Sequence, residues 1–133
     1  MAYRIMNREI KLRVWDTKKR LMVDGFDESL YLSLNHGLLF INTVGEPIDV
    51  EKERYVIQQY TGLKDTKGKE IYEGDIVQNM IIGPVEYFLG EFSIGGVTPL
   101  KDFLIIPRDE NQPLDLDLEI IGNIFENPEL LKQ

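Results

Sequence analysis

Residues Thr61 to Val77 read TGLKDTKGKEIYEGDIV, and the punctuation of this stretch is turn chemistry. Gly62 and Gly74 are free to take positive φ, having no Cβ to clash with the backbone. Asp65-Thr66-Lys67-Gly68 suits a type I turn closed by a left-handed glycine, a common connection between paired strands. The stretch is therefore expected to fold as a hairpin, with Asp75-Ile76-Val77 opening a further strand that runs to about Ile82.

Toward the C-terminus the same grammar continues. Gly83-Pro84 is expected to turn the chain into a strand from Val85 to Phe92, and Gly95-Gly96 with the loop from Pro107 to Pro113 to bound another around Phe103-Leu104-Ile105-Ile106. From Leu114 to Ile124 an alternating run puts Leu114, Leu116, Leu118 and Ile120 on one face and Asp115, Asp117 and Glu119 on the other. Short strands at regular spacing are the pattern of a small barrel. In Asn127-Pro128-Glu129-Leu130-Leu131, Asn is a preferred cap, Pro favours the first helical position and Glu complements the positive end of the dipole. A single terminal helical turn follows, with the two leucines docked on the barrel.

Toward the N-terminus, Ile10, Leu12 and Val14 alternate with Lys11, Arg13 and Trp15. A period of two predicts a strand with one buried face and a second carrying two cations and the only tryptophan. Asp16-Thr17-Lys18-Lys19 makes a turn into Leu21-Met22-Val23, giving a hairpin. Residues 30–34 and 38–42 read as two strands or as the ends of a bent one, broken by His36 and Gly37. Pro47 to Arg54 reads as a helical turn or a loop, and Tyr55 to Tyr60 has strand composition. The expected class is mainly β, all-β or β-rich α+β: an N-terminal β-rich lobe over 1–60 and a small barrel over 61–133, the two packed together.

At 133 residues the chain is long enough for one core or two small lobes, burying roughly two-thirds of its unfolded surface. The absence of cysteine excludes disulfides, thiolate metal sites and cysteine nucleophiles, and suits a reducing compartment. Its longest apolar runs, such as Leu38-Leu39-Phe40-Ile41, are far shorter than the ~18 residues a membrane span needs, and no charged-then-apolar leader opens the sequence. The expectation is a soluble, cytoplasmic protein with no membrane partner. Net charge is -8 but uneven: residues 1–20 hold seven Lys/Arg against two acids, the remainder eight against twenty-one. A basic arm on an acidic body can seek phosphate or a second copy of the chain, and it can equally be a solvated strand.

Four apparent sites fail on chemistry. Gly62 to Lys69 is close to a phosphate loop, yet five residues separate its glycines where four are needed, and Glu70 stands where a hydroxyl must bind magnesium. Asp115, Asp117, Glu119 and Glu126 take positions one, three, five and twelve of a calcium loop, but Ile120 occupies the place that must be glycine. His36 is the only histidine and has no nucleophile motif beside it. Glu73 and Asp75 are a possible acid–base pair, but they flank Gly74 in a turn, where Asp ordinarily caps backbone amides. No catalytic residue, metal site or cofactor is assigned. A nucleic-acid face is outlined by Arg8, Lys11, Arg13, Trp15, Lys18, Lys19 and Arg20, with Arg4 nearby, but one aromatic is a thin stacking platform, and the favoured reading packs Trp15 against the second lobe with the cations snorkelling around it.

Three stretches together resemble the YopX family, small proteins of phages and prophages: REIKLRVWD (Arg8 to Asp16), QYTGLKDTKGKEIYEGDIV (Gln59 to Val77) and IIGNIFENPELL (Ile120 to Leu131). Departures are slight, with Leu12 and Val14 where Phe and Ala are usual and Phe125 where Tyr is frequent. Residues 21–55 and 80–118 carry no such likeness. The resemblance implies an SH3-like C-terminal barrel opening at Gly74-Asp75-Ile76-Val77, and a phage product acting in a bacterial cytoplasm. It implies no activity. Its motif residues, Tyr60, Gly62, Gly68, Tyr72, Gly74, Asp75, Gly122, Asn123, Asn127 and Pro128, read as structural. The leading expectation is a non-enzymatic module that binds a protein or itself through strand edges or the 80–118 loops. Nucleic-acid binding through the basic strand comes second, and a metal-dependent enzyme built on Glu73, Asp75 and the acidic strand of residues 115–119 third.

Overall fold

The structure is a computed structural model that describes residues 10–24, 30–33, 37–41, 47–49, 54–105 and 116–132. Arg4, Arg8, His36, Leu114, Asp115 and the loop from Pro107 to Pro113 lie outside them. The described residues form β-strands and two short 3-10 turns, so the mainly β class is the one observed. No helix among them is long and apolar enough to cross a membrane. The chain divides into two compact units, one of Lys11–Gln58 and one to which Gln59–Gln133 belong.

In the first unit, β1 (Leu12–Asp16) and β2 (Leu21–Asp24) form the expected antiparallel hairpin, with Asp16 opposite Leu21 and Arg13 opposite Asp24. Its turn is clamped by Asp16, whose Oδ1 accepts the Lys18 and Lys19 amides at 3.0 Å. β3 (Leu30–Ser33) and β4 (Gly37–Ile41) are two separate paired strands. The segment expected as a helical turn or loop instead supplies β5 (Pro47–Asp49), paired with β4. β6 (Tyr55–Lys64) begins in this unit beside β1 and ends in the next.

The second unit is an antiparallel meander. β6 pairs with β7 (Glu70–Tyr72). β8 (Asp75–Gln78), β9 (Ile82–Phe88), β10 (Glu91–Ile94), β11 (Thr98–Pro99) and β12 (Glu119–Asn123) make a five-stranded sheet in the order β11-β10-β9-β8-β12. Ile71, Val77, Val85, Ile94, Leu100, Leu116 and Leu118 close its core, flanked by Leu63, Phe92, Phe103, Leu104 and Ile120. Each such side chain contributes about 1.5–3 kcal/mol by leaving water. Leu116 and Leu118 are inward and Asp117 outward, as the alternation required, although regular pairing in β12 starts only at Glu119.

Three expectations are corrected here. Gly83-Pro84 is not a turn: the chain reverses at residues 79–81, and both residues lie within β9. Gly83 is needed because a Cβ there would stand 2.6 Å from Cγ2 of Ile94. Val85 to Phe92 is not one strand, since Leu89-Gly90 folds it into the β9–β10 hairpin. Phe103 ends a 3-10 turn (Leu100–Phe103), after which Leu104 makes a single bridge to Leu116.

Candidate functional site

In the family-like stretches the polar side chains are committed to holding the backbone. Between Tyr60↔Tyr72 and Lys64↔Glu70 the register of β6 slips, and Gly62 sits in the bulge with φ 85°. The Thr61 hydroxyl fills the gap in the ladder, donating to the Ile71 carbonyl at 2.8 Å and accepting the Leu63 amide at 3.2 Å. A bulge leaves backbone groups unpaired, and a neighbouring hydroxyl is the cheapest way to pair them. Tyr60 and Tyr72 face each other across the pair, ring centroids 5.5 Å apart.

Asp65 anchors the hairpin loop. It is buried, its Oδ1 accepts the Lys67 and Lys69 amides at 2.9 Å each, and its Oδ2 reaches the Ile120 amide of β12 at 3.1 Å. Gly68 closes the turn with φ 79° and donates to the Asp65 carbonyl. Above the same loop, Lys67 pairs with Glu119 at 2.7 Å, which raises its pKa.

Glu73 and Asp75 are turn residues, as their place on either side of Gly74 implies. Asp75 Oδ2 accepts the Tyr72 amide at 2.8 Å, Glu73 Oε1 accepts the Gln59 amide at 2.9 Å, and Gly74 between them has φ 85°. At the C-terminal end, Asn123 Oδ1 accepts the Phe125 and Glu126 amides. Asn127 does not cap the 3-10 turn (Pro128–Leu131) with its side chain. It turns back instead, and its Oδ1 accepts the Asn123 amide at 3.2 Å. That places it over Gly122, where a Cβ would stand 2.5 Å from the same oxygen. Leu130 is half-buried and Leu131 exposed, and with residues 78–82 they line a hollow of about 390 Å3.

Of the acidic calcium-like series, Asp115 lies outside the described residues, and the other three members form no metal-binding group. Asp117 is exposed, Glu119 is engaged by Lys67 and Glu126 accepts from Asn123 Nδ2. Among the described residues no three His, Cys, Asp or Glu side chains are grouped as a metal ion would require.

The basic face is rearranged too. Alternation placed Ile10 inside and Arg13 with Trp15 outside, whereas Ile10 is exposed, Arg13 is 9% accessible and Trp15 is 5%. Both faces of β1 are covered. Arg13 Nε donates to Gln58 Oε1 at 2.7 Å, within the first unit. The indole thus has no open face for a base to stack on. Lys11 is half-buried, and Lys18, Lys19 and Arg20 stand exposed on the β1–β2 turn. Arg20 adopts φ 55°, its amide donating to the Asp16 carbonyl at 2.7 Å. Arg54 makes a two-pronged pair with Asp16, Nε to Oδ1 and Nη2 to Oδ2 at 3.0 Å each. The Arg54 hydrogen bonds hold the Asp16 carboxyl at a pKa of about 2, below its ordinary 3.8, with the two turn amides adding to the effect against the cost of burial.

The most exposed large apolar side chains lie within residues 80–118, the segment without family likeness whose loops are the expected binding surface. Met80 is 95% accessible, Leu89 88% and Val97 83%, with Tyr87 and Phe88 also exposed. Gly90 is the available signal for the hairpin that displays three of these, but with Leu rather than Asn before it the stretch reads as strand.

Compared with known proteins, the chain matches the family described as YopX protein over residues 11–132. It belongs to the YopX family. This YopX chain is also similar to the crystal structure of protein EF1440 from Enterococcus faecalis, at 28% identity and a TM-score of 0.57, over 93% of this chain and 99% of that one. No match was found among curated proteins. The hairpin tip of this YopX member lies outside all three stretches that carry the family likeness, whereas the bulge, the loops and the Asn123–Asn127 turn lie inside them.

Proposed function

We propose that this protein is a non-catalytic binding module, a phage or prophage product of the bacterial cytoplasm, which engages another protein through the β9–β10 hairpin and the loops beside it. The observation that carries this reading is the exposure of Leu89 and its neighbours. Large apolar side chains cluster on one hairpin, while the polar side chains of the motifs are already bonded to backbone groups. Large apolar side chains left in solvent on one element of a small domain point to an interaction site. A catalytic reading would need polar groups that converge on a cleft. Glu73 and Asp75 instead each accept a backbone amide.

The test is affinity capture from a bacterial host lysate with the wild-type chain and with Leu89→Asp, a change that removes no buried contact and suits the turn. A protein retained by the wild type and lost with the variant, at an unfolding midpoint no lower than that of the wild type, is the expected result. Equal recovery by both, or a strict monomer in sedimentation that retains nothing, overturns the proposal.

A further inference from the structure

Phe88 pairs with Glu91 across the β9–β10 ladder, which leaves Leu89-Gly90 as a two-residue loop with φ of 50° and 87°. Two consecutive positive φ values define the type I′ turn, whose first position is normally Asn, Asp or Gly. A leucine there costs about 1–2 kcal/mol in backbone strain. Its side chain, almost wholly in solvent, recovers nothing from burial within the chain. Strain of this kind, unexplained by the fold, is a pointer to use.

Leu89 has apolar company. The Phe88 ring lies over Gly96, where an added Cβ would meet its Cδ1 at 3.8 Å, and exposed Val97 follows directly. On the other side of the hairpin, Tyr87 and Phe92 make an edge-on pair with centroids 5.1 Å apart. The ladder Phe88↔Glu91, Tyr87↔Phe92, Glu86↔Ser93, Val85↔Ile94 roots the tip in core residues Val85 and Ile94. The backbone that carries the apolar groups is thus set before any partner arrives, which lowers the ordering cost of binding.

Charge selects the occupant. Glu86, two residues before Phe88, and Glu91, directly across from it, bracket the ring on the same face, and Glu86 Oε2 also lies beside Gly96. Lys101 approaches Glu91 at 3.5 Å, but residues 59–133 as a whole carry six Lys/Arg against fourteen Asp/Glu. A second copy docked on this patch would set Glu86 and Glu91 against their equivalents, and an anionic bilayer would meet the same repulsion.

Resting on the binding-module reading above, we propose that the Phe88-Leu89 tip with Val97 takes a partner segment that is both apolar and cationic, its hydrophobic side chains covering Phe88 and Leu89 and its Lys or Arg residues facing Glu86 and Glu91.

The probes are two labelled amphipathic peptides of about four helical turns. They share one leucine pattern, the polar positions being all Lys in one and all Glu in the other, and both are titrated against the full chain by fluorescence anisotropy. The Lys peptide is expected to bind at least about ten-fold more tightly than the Glu peptide, with the preference shrinking at high salt. Leu89→Asp and, separately, Phe88→Thr are each expected to weaken it about ten-fold or more. Glu86→Lys/Glu91→Lys reverses the preference. Equal binding of the two peptides, no binding of either, or binding that none of these variants alters overturns the inference. So does a Leu89-dependent dimer in sedimentation, or Leu89-dependent attachment to phosphatidylcholine vesicles with or without about one-third phosphatidylglycerol. A lysate protein still captured through Leu89 while the peptides show no charge preference would refute the cationic partner and leave the binding module standing.

Discussion

Replacing Asp65 is the most direct test of how the second unit is held together. Its carboxylate takes three amides: those of Lys67 and Lys69 in its own loop, and that of Ile120 on a strand 55 residues away. Hydrogen bonds to a charged acceptor contribute about 1.5–3 kcal/mol where the donor is shielded and about 0.5–1.5 where water can substitute. Lys67 and Lys69 are exposed, so their amides fall in the lower range, and Ile120 is half-buried and falls in the upper. Asp65→Ala is therefore expected to cost about 2.5–6 kcal/mol in urea unfolding, with the slope unchanged. Asp65→Asn separates the contributions. Its carbonyl can serve the two loop amides, but its NH2 faces the Ile120 amide, donor against donor, for a loss of about 1.5–3 kcal/mol. Hydrogen exchange reads the same difference residue by residue. In Asp65→Asn the Ile120 amide loses protection while that of Lys69 keeps it. An Ile120 amide as protected as in the wild type, or an alanine variant destabilised by less than about 1 kcal/mol, would show that the carboxylate does not bridge loop and strand.

Gly122→Ala forces a Cβ to within 2.5 Å of Asn127 Oδ1, so it should cost about 1–3 kcal/mol in the same assay, and Asn127→Gly in the same chain should return part of that loss. Simple additivity of the two changes would refute the clash. Leu89→Asn supplies the residue a type I′ turn prefers and should stabilise the protein by about 0.5–1 kcal/mol while weakening capture of a partner. A variant that is no more stable in thermal unfolding would argue against strain at Leu89. Asp16 has a folded pKa of about 2 against an ordinary 3.8, so its pairing with Arg54 contributes in full above pH ~4 and is lost as pH falls through ~2. Asp16→Asn should thus be less stable than the wild type at neutral pH, and the two should converge near pH ~2 in acid unfolding curves. A constant gap down to that pH would exclude the linkage.

The parts of this fold legible in the sequence are those decided locally. Gly62, Gly68 and Gly74 each have positive φ, and Asp75 caps its turn, because these residues answer to constraints within a few positions of themselves. Alternation likewise placed Leu116 and Leu118 inside. It did not show that the opposite face of β1 is covered as well, since a period of two identifies a face and is silent on what packs against its reverse. Arg13 therefore reads as a solvent-facing cation although it is buried, whereas the burial of Trp15 agrees with a packed indole. Gly83 was taken for a turn because a glycine that yields space to Ile94 looks, in one dimension, the same as a glycine that yields a dihedral angle. Half of the role of Asp65 was visible as a turn signal, and its bond to Ile120 was not. The hairpin at Leu89-Gly90 was missed because the usual signal is a polar residue before glycine.

That omission bears on where function lies. Among the described residues only Arg20 and Leu89 take positive φ without being glycine. Arg20 is compensated inside the chain: its amide bonds to the Asp16 carbonyl, Asp16 caps the next two amides of the turn, and Arg54 fixes Asp16 in turn. The strain there belongs to a network that a folding argument explains. Leu89 has only the hairpin ladder, which Asn-Gly would satisfy better, and its side chain touches water where a polar residue would have done no harm. A sequence that is locally consistent nearly everywhere and breaks its own rule at one exposed apolar position is best explained by something outside the chain. If Leu89→Asn stabilises the protein and Arg20→Gly, which relieves the same kind of strain, leaves partner capture unchanged, the tip of the β9–β10 hairpin is where selection on binding has overridden selection on folding.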